Sequence, residues 1–317
     1  MNFDKVELGR LAKKNGFVRD TLEKVIRLTE VLELFFNDKI LAEHFVLKGG
    51  TAINLIHFDL NRLSVDVDMD FTPNLKKDEL EIIRNQASVQ VIKAMETKGY
   101  MLEEGKSKFT YSLDSYVFSY QNSGGMKDNL KVELNYSLRA HIYPTKLASI
   151  HNLEGIFAQI RIGVVDKREL FGSKLVALMG RAAARDLYDA WNMIQRKTFN
   201  ETEIDDLRKV VIFYSILNVE SKDELFNISN IDTIDKRKIT RDLRPVIFTK
   251  ERVNLEEMQD DVKNYLVNLL QLTDKELSCI DKYFYEREFI PELLFDDENI
   301  VERLKTHPMI LWQLNKY

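Results

Sequence analysis

Apolar positions along the chain recur first at helical spacing, then at strand spacing, then at helical spacing again. Leu22, Val25, Ile26, Leu32, Phe35 and Phe36 predict helix within residues 1 to about 44, with Asp20 or Thr21 able to cap its start. Phe45-Val46-Leu47 is a short apolar run stopped by Gly49-Gly50, and Ala52 to Phe58 predicts a helix after it. Ser64 to Phe71 alternates apolar and polar residues strictly, which predicts a strand. A helix follows from about Lys77 to Lys98. Next come strands over Phe109 to Gln121 and Leu130 to Ser137, and the turn-rich residues between them predict a hairpin. Ile156 to Val164 reads as one more strand. From Lys167 onward only helical periodicity appears, in 203–218, 255–271 and 273–286. The expected fold is α/β, in three parts: an N-terminal helical segment (1–44), an α/β domain (45–165) and a helical domain (166–317).

The strand at 64–71 carries the first chemical signal. Alternate side chains of a strand face opposite ways, so Val65, Val67, Met69 and Phe71 face a core while Asp66, Asp68 and Asp70 share the other face. Like charges so arranged repel and call for a cation. Carboxylates two residues apart can lean onto one hard divalent ion, whereas Asp70 is too far from Asp66 to share it easily. Two-metal phosphoryl chemistry usually takes a third carboxylate from a neighbouring strand. Glu133, between the inward-facing Val132 and Leu134, is the candidate.

Sixteen residues before Asp66, Lys48-Gly49-Gly50-Thr51 lies between a short strand and a helix. Glycines there let backbone N–H groups approach an anion, and Thr51 can cap the helix or bond a phosphate oxygen. Neither a Walker A loop nor a GxGxxG fingerprint is present.

Composition narrows the field. Lys plus Arg total 46 against 51 Asp plus Glu, a net charge of −5, so a nucleic-acid surface would have to be a local patch. Residues 235–252 supply one, with Lys236, Arg237, Lys238, Arg241, Arg244, Lys250 and Arg252 against three acids, although a solvated charged linker is the better explanation of them. A single cysteine excludes a disulfide scaffold and a cysteine zinc site, and the five histidines form no HExxH pair. Met1 to Lys5 holds no signal-peptide core and no apolar run reaches membrane-spanning length, so a soluble, cytoplasmic protein with no membrane partner is expected.

Gly49-Gly50-Thr51-Ala52 followed by Arg62-x-Ser64-x-Asp66-x-Asp68 resembles the signature of the AbiEii/AbiGii toxins, within the polymerase β-like minimal nucleotidyltransferases. Lys174-Leu175-x-Ala177-Leu178-x-x-Arg181, then Arg185-Asp186-Leu187-Tyr188-Asp189, is similar to the family's second block, and His307 to Trp312 to its C-terminal pattern. The Ala182-Ala183-Ala184 run departs from it, since a chain-breaking residue is often expected there.

The resemblance implies a nucleotidyltransferase-like mixed sheet with flanking helices, followed by a helical bundle. It also implies transfer of a nucleotide from an NTP to an acceptor hydroxyl, with Mg²⁺ or Mn²⁺ as cofactor. Asp66 and Asp68, assisted by Glu133, would hold metal; Gly49 and Gly50 would approach the phosphates, beside Lys48, Thr51 and Ser64. Ser64 shares the strand face of Asp66, and a modification there would add negative charge and is expected to inhibit. Lys174 would meet the triphosphate, Arg181 or Arg185 clamp phosphates, and Asp189 orient the lysine or bind nucleotide or acceptor. On one straight helix Lys174 and Asp189 would stand about 22 Å apart, so either the helix breaks near Arg181 to Asp186, with Asp186 capping a second helix, or the two serve different parts of the substrates; the resemblance keeps both at the site and implies the break. The acceptor implied is RNA, foremost the 3′ end of tRNA, in a toxin–antitoxin and phage-defence system with a cognate antitoxin. Alternatives are a protein or small-molecule acceptor, a catalytically silent nucleotide-binding module, and a metal-dependent nuclease, against which the glycine turn and Lys174 argue.

Overall fold

The computed structural model describes residues 4–153, 156–157 and 159–316. Packing divides the chain into two compact units: residues 1–139, 145–165 and 244–251, and residues 140–144, 166–243 and 252–317.

The first unit opens with α1 (Lys5–Asn15), whose first N–H groups are capped by the Asp4 carboxylate and which Gly16 ends in a left-handed turn. Helices α2 (Arg19–Asn37) and α3 (Lys39–His44) follow, so the helices expected within 1–44 pack in this unit; residues 1–3 lie outside the described residues. Then come β1 (Phe45–Leu47), α4 (Gly49–Ala52) running into a wider π-type turn over Ile53–His57, β2 (Asp66–Phe71) and α5 (Lys77–Thr97). The remaining strands are β3 (Met101–Leu102), β4 (Lys108–Phe109), β5 (Leu113–Gln121), β6 (Lys127–Asn135), β7 (Lys146–Ser149) and β8 (Arg161–Val164).

These form one mixed sheet in the order β3-β5-β6-β2-β1-β8-β7, with β4 on β5. The β2/β6 and β1/β8 pairs are parallel and the others antiparallel. Val67, Met69 and Phe71 of β2 are fully buried, as are Leu22, Leu28, Leu32 and Phe35 of α2, which packs on the sheet.

Four details differ from expectation. Strand β2 begins at Asp66 rather than Ser64, because the chain just before it is paired elsewhere: the Leu63 N–H donates to the Val246 carbonyl and Arg62 bridges Ile247. The run from Phe109 splits at a tight turn in which the Thr110 N–H donates to the Leu113 carbonyl, folding β4 back on β5. The strand expected over Ile156–Val164 is β8 alone, with Ala158 outside the described residues. Strands β3 and β7 were not foreseen, being two and four residues long and largely exposed.

The second unit holds α6 (Lys167–Arg181), α7 (Ala184–Gln195), α8 (Glu201–Asn218), α9 (Lys236–Lys238), α10 (Leu255–Leu269), α11 (Asp274–Asp281), α12 (Glu298–Lys305) and α13 (Pro308–Leu314). Helices α6 and α8 approach closely at Gly172, where an added Cβ would stand 2.4 Å from a Val210 methyl. Among the described residues no helix is long and apolar enough to cross a membrane. The basic run 235–252 is shared, Arg244–Glu251 belonging to the first unit and its flanks to the second. Several of its charges are engaged locally: Arg241 pairs with Asp242, Lys238 donates to the Ala182 carbonyl and Arg244 to the Glu251 carbonyl.

Candidate active site

The parallel β2/β6 register is the foundation of the site. It sets Asp66 beside Lys131 and Asp68 beside Glu133, and alternation puts all four side chains on the sheet face opposite the apolar core. The Gly49-Gly50 turn lies against the same strand, since the Lys48 N–H donates to the Asp68 carbonyl at 2.9 Å. Gly49 adopts φ +70°, and an added Cβ would stand 2.3 Å from an Asp68 carboxylate oxygen. The turn therefore needs glycine twice over, for its backbone conformation and for the room it leaves Asp68. Gly50 is crowded in turn by the Arg62 guanidinium and, 3.0 Å from an added Cβ, the Ser64 hydroxyl.

Thr51 is fully buried and its hydroxyl donates to the Asp66 carbonyl at 2.5 Å, tying the helix start to the acidic strand. Asn54 donates to the Gly50 carbonyl and accepts from the Arg62 N–H, closing the loop from below. Arg62 and Ser64 are both buried.

Lysines partner two acids of this face. Lys48 pairs with Asp70, which is buried, and Lys131 pairs with Glu133 at 2.7 Å. Burial pushes the Lys131 ammonium down, but Glu133, with Asp66 and Asp68 behind it, outweighs that and holds it above its ordinary value. Sequence reasoning missed Lys131; the signal was a basic residue two before Glu133 on the same strand face.

Among the described residues no three His, Cys, Asp or Glu side chains converge to hold a metal ion. The donor set still fits a hard divalent cation. Asp66 and Asp68 supply adjacent carboxylates, Glu133 is the register neighbour of Asp68, and an ammonium already stands among them as a resident cation.

The second unit contains the other expected residues. Helix α6 ends at Ala182, which takes a left-handed conformation at φ 47°, and α7 starts two residues later. The expected break is therefore real, made by an alanine rather than a glycine. Asp186 sits in the first turn of α7, whose N-cap is Ala183 rather than Asp186. The reversal brings Lys174, Arg181, Asp186 and Asp189 together. The Lys174 ammonium lies 2.8 Å from Asp186 and 3.5 Å from Asp189, and Arg181 donates two bonds to Asp186. Asp186 and Asp189 are buried and the Lys174 side chain is only 9% exposed. Burial pushes the Asp186 carboxyl up, but Lys174 and Arg181 outweigh it and hold the group well below the usual carboxylate range. Sequence reasoning had Asp189 orient Lys174 or bind nucleotide or acceptor, and missed Asp186, offered only as a cap, as the nearer partner. Arg185, on the same turn of α7, is half-buried.

This sheet, with an Asp-x-Asp strand packed beside a Gly-Gly turn, has the fold of a nucleotidyltransferase toxin. MenT4, a nucleotidyltransferase toxin from Mycobacterium tuberculosis H37Rv, overlays with TM-score 0.63 at 14% identity, over 98% of this chain and 99% of that one. The family described as Nucleotidyl transferase AbiEii toxin, Type IV TA system, matches residues 31–287, and the chain belongs to it. It is thus a nucleotidyltransferase toxin of a toxin–antitoxin system, a family that implies a nucleotide substrate and an antitoxin partner. The Escherichia coli MS115-1 CdnC:HORMA-deltaN complex aligns over 97% of this chain and 98% of that chain at 14% identity, with a TM-score of 0.25. Among curated proteins no sequence matches.

Proposed function

We propose that the protein transfers a nucleoside monophosphate from an NTP to an RNA hydroxyl, foremost at the 3′ end of tRNA, with a divalent cation. The carrying observation is the β2/β6 register, which lines up Asp66, Asp68 and Glu133 on one face beside the Gly49-Gly50 turn. In this reading Asp66 and Asp68 hold the cation, with Glu133 as third acid. The cation, when bound, supplies charge neutralisation at the triphosphate and a lowered pKa for the attacking hydroxyl.

The chain's own groups do the rest. Gly49 and Gly50 leave room for phosphate oxygens against the backbone at the start of α4, with Lys48 supplying positive charge nearby. Thr51 acts by fixing the helix start to β2, its hydroxyl being spent on the Asp66 carbonyl. Ser64 is proposed to support the glycine turn from beneath, and a negative charge placed there to inhibit. Lys174, Asp189, Arg181 and Arg185 keep the roles the family resemblance gives them, with Lys174 as the triphosphate charge and Asp189, together with Asp186, orienting it.

The test offers purified protein and Mg²⁺ each α-labelled NTP with tRNA, total RNA and a protein extract, beside Asp66→Ala/Asp68→Ala. Label entering tRNA from one NTP, and absent with the variant, supports the reading. Label on protein keeps the chemistry and overturns the acceptor; no label overturns the transfer reading for the isolated chain.

A further inference from the structure

We propose that Lys131 is a built-in competitor of the metal: its ammonium holds Glu133 and has to leave before Glu133 can join Asp66 and Asp68. This rests on the reading of these acids as a cation site and adds a positioning residue that the reading lacked.

The argument starts from strand geometry. Lys131 and Glu133 are two apart on β6 and so share a face, and the parallel register sets Lys131 beside Asp66 and Glu133 beside Asp68. Four side chains thus crowd a patch two residues long and two strands wide, with three negative charges and one positive. A cation placed among three carboxylates is what such a patch requires, and Lys131 provides it from within the chain. The ion pair is made at 2.7 Å to Glu133, the acid expected to complete the metal site.

Glu133 stands in that pair, and among the described residues no third acid converges with Asp66 and Asp68. Lys131 is also able to leave. Its side chain is 42% exposed and that of Glu133 24%, so parting them removes neither group from a sealed interior. A lysine is suited to such an exchange, being a flexible, strongly hydrated point charge where arginine would clamp a carboxylate in a rigid fork. The expected behaviour is a site that takes metal weakly when alone.

The experiment measures Mn²⁺ binding by electron paramagnetic resonance and calorimetry, without nucleotide, on the full chain. The variants are Lys131→Met, Lys131→Arg and Asp66→Asn, each checked by thermal melting with and without Mn²⁺. Lys131→Met should bind Mn²⁺ about tenfold more tightly than the parent, the size expected for removing one like charge from beside an ion. It should also melt lower without metal and gain more from Mn²⁺ than the parent does. Lys131→Arg keeps the charge and strengthens the clamp, so it should bind Mn²⁺ more weakly than the parent, whereas net charge alone would leave its affinity unchanged. Unchanged affinity in either Lys131 variant, or tightening in Lys131→Arg, overturns the proposal. Mn²⁺ binding that survives in Asp66→Asn overturns the cation-site reading itself, as does absence of binding in every variant.

Discussion

Lys131 and Lys174 make nearly the same bond in different surroundings. Each ammonium lies close to a carboxylate, at 2.7 Å from Glu133 and 2.8 Å from Asp186. Lys131 stands on an open sheet face, whereas Lys174 is enclosed, and its acids Asp186 and Asp189 are completely covered. The half-exposed pair costs little to separate, because water can replace either partner. Breaking the enclosed one leaves a charge with no solvent to take it. The first arrangement suits a site that exchanges charges with a ligand; the second suits a charge held in one fixed position.

The largest effect that would sharpen this contrast is on rate. Asp68→Asn should lower transfer by about 10²–10³-fold, as loss of a group that organises charge at a reacting phosphate does, without lowering the melting temperature. Lys174→Met should lower both, because it takes the covered ammonium away from the buried Asp186 and Asp189. Asp68→Asn melting far below the parent would break the comparison, since the acidic face would then be structural.

Next in size is the stability held at Asp186. Asp186→Asn should cost about 3 kcal/mol in urea unfolding at neutral pH, the low end for breaking a buried pair because Asp189 remains beside Lys174. The pH dependence has a definite sign. A carboxyl held below its unfolded value contributes stability that is fully present above the unfolded pKa and is lost as pH falls through the lower folded value. The parent should therefore lose its advantage over Asp186→Asn only on strong acidification, and a constant difference down the acid limb would contradict the assignment.

Gly49→Ala is smaller for stability yet reaches the first site. The left-handed backbone there costs an alanine about 1 kcal/mol, and the methyl group has to displace the Asp68 carboxylate. Transfer should fall about tenfold or more while the melting temperature drops by a few degrees. An active Gly49→Ala would mean that the close approach of turn and acid is not used.

What could be read from the chain before its structure follows the same division. The β2 strand announced itself because Val67, Met69 and Phe71 carry a clean two-residue period, and the hairpin because Asn122 to Asp128 is dense in turn formers. Asp186 as the partner of Lys174 was hidden, since twelve residues separate them and the meeting depends on Ala182 taking a left-handed turn that alanine does not advertise. Lys131 was hidden for another reason. Its partner Glu133 is nearby in sequence, but its place among Asp66 and Asp68 comes from the register of two strands some 60 residues apart, which periodicity does not encode. The short exposed β7 has no apolar face to betray it.

The smallest expected effect tests the enclosed cluster from its outer side. Arg181 makes two bonds to Asp186, more than Lys174 makes, so a count of contacts would rank it first. Its side chain is 65% exposed, however, and water and salt screen what it contributes. Arg181→Gln should cost only about 0.5 kcal/mol. That loss should shrink further at high salt, while the loss in Asp186→Asn persists. If Arg181→Gln matched Asp186→Asn, the burial of Lys174 would not be what distinguishes the two lysines. A small, salt-sensitive loss assigns the fixed charge to the covered Lys174–Asp186 bond and leaves Arg181 a screened outer partner.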